Sequence, residues 1–126
     1  MYSMAARRFV PADRLARRPR GGLSERKLRA AIEYVEEHLD SELTLDAIAA
    51  VAHLSPYHFA RMFKTSTGLP PHQYVITRRV ERAKGLLRDG GELSLAQVAA
   101  RSGFWDQGHF TRHFKRLVGV TPKHFR

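Results

Sequence analysis

The chain repeats itself. Residues 43–53 lie over residues 93–103, with Leu43 on Leu93, Leu45 on Leu95, Ala49 on Ala99 and Ala50 on Ala100. Thr44 falls on Ser94 and Ile48 on Val98. A shift of one residue lays 55–74 over 106–125. His58 then meets His109, Phe59 meets Phe110, Arg61 meets Arg112, Phe63 meets Phe114, Lys64 meets Lys115, Gly68 meets Gly119 and Pro71 meets Pro122. Ser55 falls on Asp106, and the second copy carries one extra residue near Trp105. The duplication predicts two like helical units.

Each copy reads as a short Ala-rich helix, a tight turn and a second helix of the form cap-x-x-His-Phe-x-Arg-x-Phe-Lys. The paired alanines, Ala49-Ala50 and Ala99-Ala100, are expected to let the second helix cross closely, as a helix-turn-helix requires. Phe59, Met62 and Phe63 form the expected buried face in the first copy, and Phe110, Phe114 and Leu117 in the second. Ala60, Arg61 and Lys64, like Thr111, Arg112 and Lys115, fall on more open faces. A generic duplicated hairpin would repeat its core; here caps, core, glycine and outward basic residues repeat together.

No window alternates apolar and polar residues as a strand would, and the apolar spacing is helical throughout. Ser24 caps a predicted helix to about His38, with Leu28, Ile32, Val35 and Leu39 inward. Thr44 caps a short helix from Leu45 to about Ala52. Ser55 caps the next, with Pro56 at its first position, and that helix ends before Gly68. Pro70-Pro71 opens a long helix to about Asp89, ended by Gly90-Gly91, with Ile76, Val80, Ala83 and Leu87 inward. Ser94 caps Leu95 to Arg101, and Asp106 caps a helix to about Val118, closed by Gly119. Thr121-Pro122 starts a last turn. The predicted fold class is all-α.

The charge is uneven. The 126 residues carry +10, divided as +5 over residues 1–22, −4 over 23–50 and +9 over 51–126. Residues 1–22 hold Arg7, Arg8, Arg14, Arg17, Arg18 and Arg20 with Pro11, Pro19 and Gly21-Gly22. They read as a flexible basic tail or linker stub, either a solubilising tail or a DNA arm. The folded part is expected to start near Leu23. Absence of cysteine excludes disulfides, thiolate zinc sites and thiol nucleophiles. The length excludes a TIM barrel, no run approaches a membrane span, and no apolar h-region follows the N-terminal arginines. The expected partner is a polyanion.

Few residues suggest other chemistry. His109 and His113 stand four apart, a spacing that can hold zinc, but no Glu follows His109 and no third ligand is evident. Glu33, Glu36 and Glu37 read as the solvated face of the first helix. No nucleophile motif or Gly-rich phosphate loop is present, so neither an enzyme nor a cofactor is expected.

Two runs resemble one family. Leu43-Thr-Leu-Asp-Ala-Ile-Ala-Ala-Val-Ala-His-Leu-Ser-Pro-Tyr-His-Phe-Ala-Arg-Met-Phe-Lys with Gly68-Leu-Pro-Pro-His-Gln-Tyr74 resembles the first half of the AraC/XylS-type DNA-binding domain. Ser94-Leu-Ala-Gln-Val-Ala-Ala-Arg-Ser-Gly-Phe-Trp-Asp-Gln-Gly-His-Phe-Thr-Arg-His-Phe-Lys-Arg with Gly119-Val-Thr-Pro and Phe125-Arg126 resembles its signature half. The resemblance spans about residues 24–126.

It implies a bacterial-type transcription regulator with two helix-turn-helix subdomains, about 44–68 and 94–119, joined by a linker helix over about 71–89 within a domain of residues 23–126. It implies sequence-specific binding to double-stranded DNA, a cytoplasmic location, no membrane, and an activator that contacts RNA polymerase. The isolated domain would be a monomer, and a dimer would follow if a further N-terminal domain belongs to the full protein. The alternative is a regulatory interaction module with only nonspecific DNA affinity.

By resemblance the recognition helices are Pro56–Thr65 and Gln107–Val118, each with its N-terminal turn in a major groove, about 34 Å apart on straight DNA. Holding them closer would bend the duplex at a cost of order 1–6 kcal/mol. Tyr57, Ala60 and Arg61 match base readers in the first, and Gln107, Gly108, His109 and Arg112 in the second. Arg61 and Arg112 can bond guanine bidentately, and Gln107 can bond adenine. His58, Lys64, Thr111, Lys115 and Arg116 are assigned to phosphates, joined by N–H groups at the helix starts near Leu45 and Leu95. The chain departs from the family at Pro70, where a hydroxyl cap is usual, at Gly85 inside the linker helix, at Gly108, and at Trp105, which would cover the core or meet a sugar edge, packing being the expected role.

Overall fold

The computed structural model describes residues 20–89 and 91–126. The arginine-rich segment before residue 20, expected as a tail or stub, and Gly90 lie outside the described residues. Seven helices occupy the rest: α1 Glu25–Glu37, α2 Leu45–Val51, α3 Pro56–Thr67, α4 Pro71–Asp89, α5 Leu95–Arg101, α6 Gln107–Val118 and α7 Pro122–Phe125. No strand occurs among the described residues, and no helix is long and apolar enough to cross a membrane.

The starts are set locally. Ser24, Thr44, Ser55, Ser94, Asp106 and Thr121 each accept a backbone N–H from three residues on. Each such bond satisfies a donor that the first turn cannot, worth about 1 kcal/mol. Ser94 goes further: the Gln97 side chain accepts the Ser94 N–H at 2.8 Å, completing a capping box. Gly68 and Gly119 end α3 and α6 at φ 86° and 99°, a region only glycine enters without cost. The α3–α4 turn has no capping hydroxyl at Pro70; Thr67 secures it, donating to the Leu69 carbonyl at 3.0 Å and accepting the Leu69 N–H at 3.2 Å.

Two apolar clusters result. Leu23, Leu28, Ala31, Val35 and Leu39 join Ile48, Ala49, Ala52, Phe59 and Phe63 in the first. Val98, Ala99, Phe104, Phe110 and Phe114 form the second. The long helix α4 serves both: Tyr74 and Val75 enter the first, while Ile76, Val80, Ala83 and Leu87 enter the second. Gly85 is also buried. Each large side chain so buried contributes about 1.5–3 kcal/mol against exposure.

Three arginines on α4 tie it to the end of α1. Arg78 is 1% exposed, and its Nε donates to Glu36 Oε2 at 2.7 Å while Nη2 reaches Oε1 at 3.3 Å. Glu36 is therefore not part of a solvated face; it is half-buried as the counter-ion of a buried guanidinium. Glu33 and Glu37 are exposed. Arg79 donates to the carbonyls of Leu39 and Ser41, and burial pushes its pKa down. Arg82 donates to the Glu36 carbonyl at 3.4 Å.

The second unit comes closest to this joint at Gly103. Gly103 has φ 96°, and a Cβ built there would stand 1.9 Å from the Leu39 carbonyl oxygen and 2.6 Å from Arg79 Nε. Only glycine fits. Its counterpart His53 also takes a positive φ, 58°, but is exposed.

The alanine expectation needs correction. Ala49 and Ala99 are buried as expected, but Ala50 and Ala100 are exposed. Ala52 and Ser102, both fully buried, are the other small residues in the contact. The buried stripe of each short helix is Ile48-Ala49 or Val98-Ala99, and Ala50 and Ala100 lie about 100° past it, on the open side.

Candidate nucleic-acid interface

Helices α3 and α6 are built alike. In α3 the Ser55 hydroxyl accepts the His58 N–H at 3.3 Å, and in α6 the Asp106 carboxylate accepts the His109 N–H at 2.6 Å. Phe59 and Phe63 in one, Phe110 and Phe114 in the other, are 0–1% exposed. With two phenylalanines of each helix fixed inward, the i+2 positions must face outward. Arg61 and Lys64, and Arg112 and Lys115, are all exposed. Leu117 was expected on the inner face of α6 and is instead 41% exposed. Val118, one residue on, packs against the core in its place. Helix α3 ends at Thr67, directly before Gly68 as expected and two residues beyond the recognition segment assigned by resemblance.

The assigned base readers fall into two groups. Tyr57 is 66% exposed, His58 stands edge-on to it at 5.6 Å, and the Arg61 guanidinium lies over its ring. Ala60 is half-buried and faces a recess shared with Leu45, Pro70, Pro71 and His72. In α6, Gln107 and Gly108 are exposed. A Cβ on Gly108 would lie 4.0 Å from Arg112 Nη1, so Arg112 folds back over the first turn as Arg61 does, but with no ring beneath it. Thr111 is half-buried, and Arg116 is exposed.

His109 stands apart from that set. It is half-buried, with its ring 4.5 Å from His113 and 6.1 Å from Phe104. Arg116 Nη2 donates to His113 Nδ1 at 2.9 Å, and the His113 and His109 Nε2 atoms are 3.2 Å apart. The guanidinium has no acceptor, so His113 must carry its proton on Nε2 and donate it to His109. His109 then holds its own proton on Nδ1, a buried atom without a partner among the described residues. Burial lowers the His113 pKa first, and the charges of His109, Arg116, His72 and Arg112 lower it further. Two imidazoles committed to each other make a poor metal site. Among the described residues no group of three or more His, Asp or Glu side chains could hold a metal ion.

At the helix starts near Leu45 and Leu95, Thr44 and Ser94 already accept the N–H groups of Ala47 and Gln97. Trp105 is not buried as expected: it is 83% exposed, its ring tilted against that of His109 at 6.1 Å. Its neighbour Phe104, 4% exposed, fills the core place instead, 5.3 Å from Phe110. Arg20 and Gly21, read from the sequence as part of a tail or DNA arm, line a recess with His58, Arg61, Met62 and Thr65. Leu23 fixes that approach, its N–H donating to the buried Ser66 hydroxyl at 2.8 Å.

A family described as a helix-turn-helix domain matches residues 48–126. The chain is 36% identical over 93 residues to a probable transcriptional regulator, LumQ, of Photobacterium leiognathi, covering 74% of this chain and 37% of that protein. It is similar to a solved transcriptional regulator of the AraC-type DNA-binding-domain class from Chromobacterium violaceum, with TM-score 0.75, 28% identity, and 81% and 90% of the two chains covered. It is also similar to the DNA-binding domain of the global transcriptional factor AdpA, solved with a target DNA. There the TM-score is 0.74, the identity 33%, and the coverage 79% and 88%. The chain spans 30–40% of the length of the first curated relatives it matches.

Proposed function

The chain belongs to the AraC-type helix-turn-helix family, and from that membership we propose that it binds duplex DNA sequence-specifically as a transcription regulator. The observation that carries this reading is the matched pair Arg61 and Arg112, each exposed at the same place on a helix whose other faces are occupied. The first turns of α3 and α6 enter successive major grooves. Arg61 and Arg112 read guanine, Gln107 reads adenine or bonds a phosphate, and Tyr57 and Ala60 line the first groove. Lys64, Lys115, Arg116 and His58 meet phosphates, adding affinity and salt dependence without sequence preference. Thr111 is a weaker candidate for the same role, being half-buried. His109 serves by holding His113 rather than by reading a base, since its Nε2 is already taken.

The two units differ in sequence, so a monomer would recognise an asymmetric site. The exposed acids Glu33 and Glu37 on α1 are the face we assign to RNA polymerase, as an activator working in the bacterial cytoplasm would need. Selection of binding sites from random duplexes tests the central reading. The expected result is an asymmetric logo with a guanine in each half; a flat logo overturns it.

A further inference from the structure

The turns of the two copies correspond up to a single point. Leu54 donates its N–H to the Ala49 carbonyl at 3.2 Å, and Phe104 donates to the Ala99 carbonyl at 2.9 Å. His53 and Gly103 likewise donate to Ala50 and Ala100. In the first copy the cap Ser55 follows Leu54 directly. In the second, Trp105 stands between Phe104 and the cap Asp106. Trp105 is therefore the inserted residue, and the one place where the duplication is broken holds the chain's single tryptophan.

The indole has no core place to enter. Phe104 occupies it, packed against Phe110 and stacked with His113 at 6.0 Å. Tryptophan is on average a highly buried residue, so 83% exposure is unusual. Isolated exposed hydrophobics need no explanation, but here they are not scattered. Of the four large ones among the described residues, Leu45, Tyr57 and Trp105 sit at, or just before, the first turn of α2, α3 and α6. Of these, the starts of α3 and α6 are the ends that the proposed function turns toward DNA.

We propose that Trp105 is a DNA contact in its own right, laying its indole against the sugar–phosphate edge beside the second recognition helix. The chemistry suits that edge: an apolar ring to cover a deoxyribose, and one N–H donor to reach a phosphate oxygen. The contact positions α6 and carries no base preference of its own. The inference rests on the DNA-binding reading above.

The test uses the whole chain and a selected duplex with a dye on its end. Anisotropy of the dye reports binding; emission of the single tryptophan reports the contact. Bound duplex is expected to shift that emission and to protect it from acrylamide quenching. Trp105→Ala is expected to weaken binding about fivefold, the size of one modest aromatic contact, while leaving the base preferences and the melting temperature unchanged. Trp105→Phe should recover part of the loss. If the duplex binds but tryptophan emission and quenching stay as in the free protein, and Trp105→Ala binds equally well, the contact is refuted while DNA binding stands. If no selected duplex binds at all, both fall.

Discussion

The guanidinium carbon of Arg61 stands 5.7 Å from the centroid of the Tyr57 ring, one helical turn before it. The same turn of α6 sets Arg112 Nη1 over Gly108, where there is no side chain to stack on. The repeat has thus kept the arginine and dropped its platform. Stacking on an exposed ring is worth about 0.5–1 kcal/mol and limits the directions a guanidinium can take. Arg61 is held ready for a planar partner, whereas Arg112 must be ordered by the partner itself.

Arg61→Ala and Arg112→Ala should each cost about 1–3 kcal/mol of base discrimination, confined to one half of the site. Tyr57→Ala should weaken binding by about 0.5–1 kcal/mol through the first half alone. Repeating the site selection with each variant checks this. Equal weakening on every sequence would reduce both arginines to phosphate contacts.

Gly103→Ala should be among the most damaging single changes. It combines a left-handed backbone with a Cβ driven into the Leu39 carbonyl, and a loss on the order of 3–5 kcal/mol is expected. His53→Gly, at the equivalent exposed turn, should be neutral or stabilising by up to about 1 kcal/mol. Urea unfolding of the two variants would separate close approach from backbone strain; equal effects would rule out the steric account.

Glu36→Ala should cost about 3 kcal/mol, the lower end for breaking a buried ion pair, since Glu36 keeps some contact with water. Arg78→Met should cost less, because it removes the buried charge rather than stranding it. The double substitution should fall short of the sum. Additive losses would show that the two residues act separately.

His113 sets a pH dependence. Its pKa is lowered in the folded chain from the ordinary 6.5, so the unfolded chain takes up the proton first as pH falls. The contribution is intact above about pH 6.5 and is lost progressively below it. Protonation would also put an N–H of His113 against Arg116. The melting temperature should therefore fall more steeply below pH 6.5 in the unmodified chain than in His113→Gln. Parallel curves would dismiss the imidazole pair as the cause.

What could be read from the residues was what depends on near neighbours. Ser24, Thr44, Ser55, Ser94, Asp106 and Thr121 cap their helices because a cap needs only the next three residues. The phenylalanine stripes follow from helical spacing for the same reason. What escaped depends on contacts across the chain. Nothing near Glu36 announces Arg78, which lies 42 positions on. Gly103 looked like an ordinary turn glycine until Leu39 stood beside it. Trp105 and Leu117 were expected inside because they are apolar, yet Phe104 and Val118 already filled those places. The paired histidines looked alike, but only His109 has a second imidazole at i+4 to turn toward.

The joint at Gly103 also bears on the DNA rather than the protein. With Leu39, Arg79 and the second turn in close contact, the two proposed reading heads would act as a fixed-gap caliper. Each base pair added between the half-sites turns the far one by about a tenth of a revolution. A fixed gap cannot follow that rotation, so the penalty for a spacer mutation falls on the duplex, which must twist or bend to be read. Promoters under such a regulator would tolerate changes of letter more readily than changes of length.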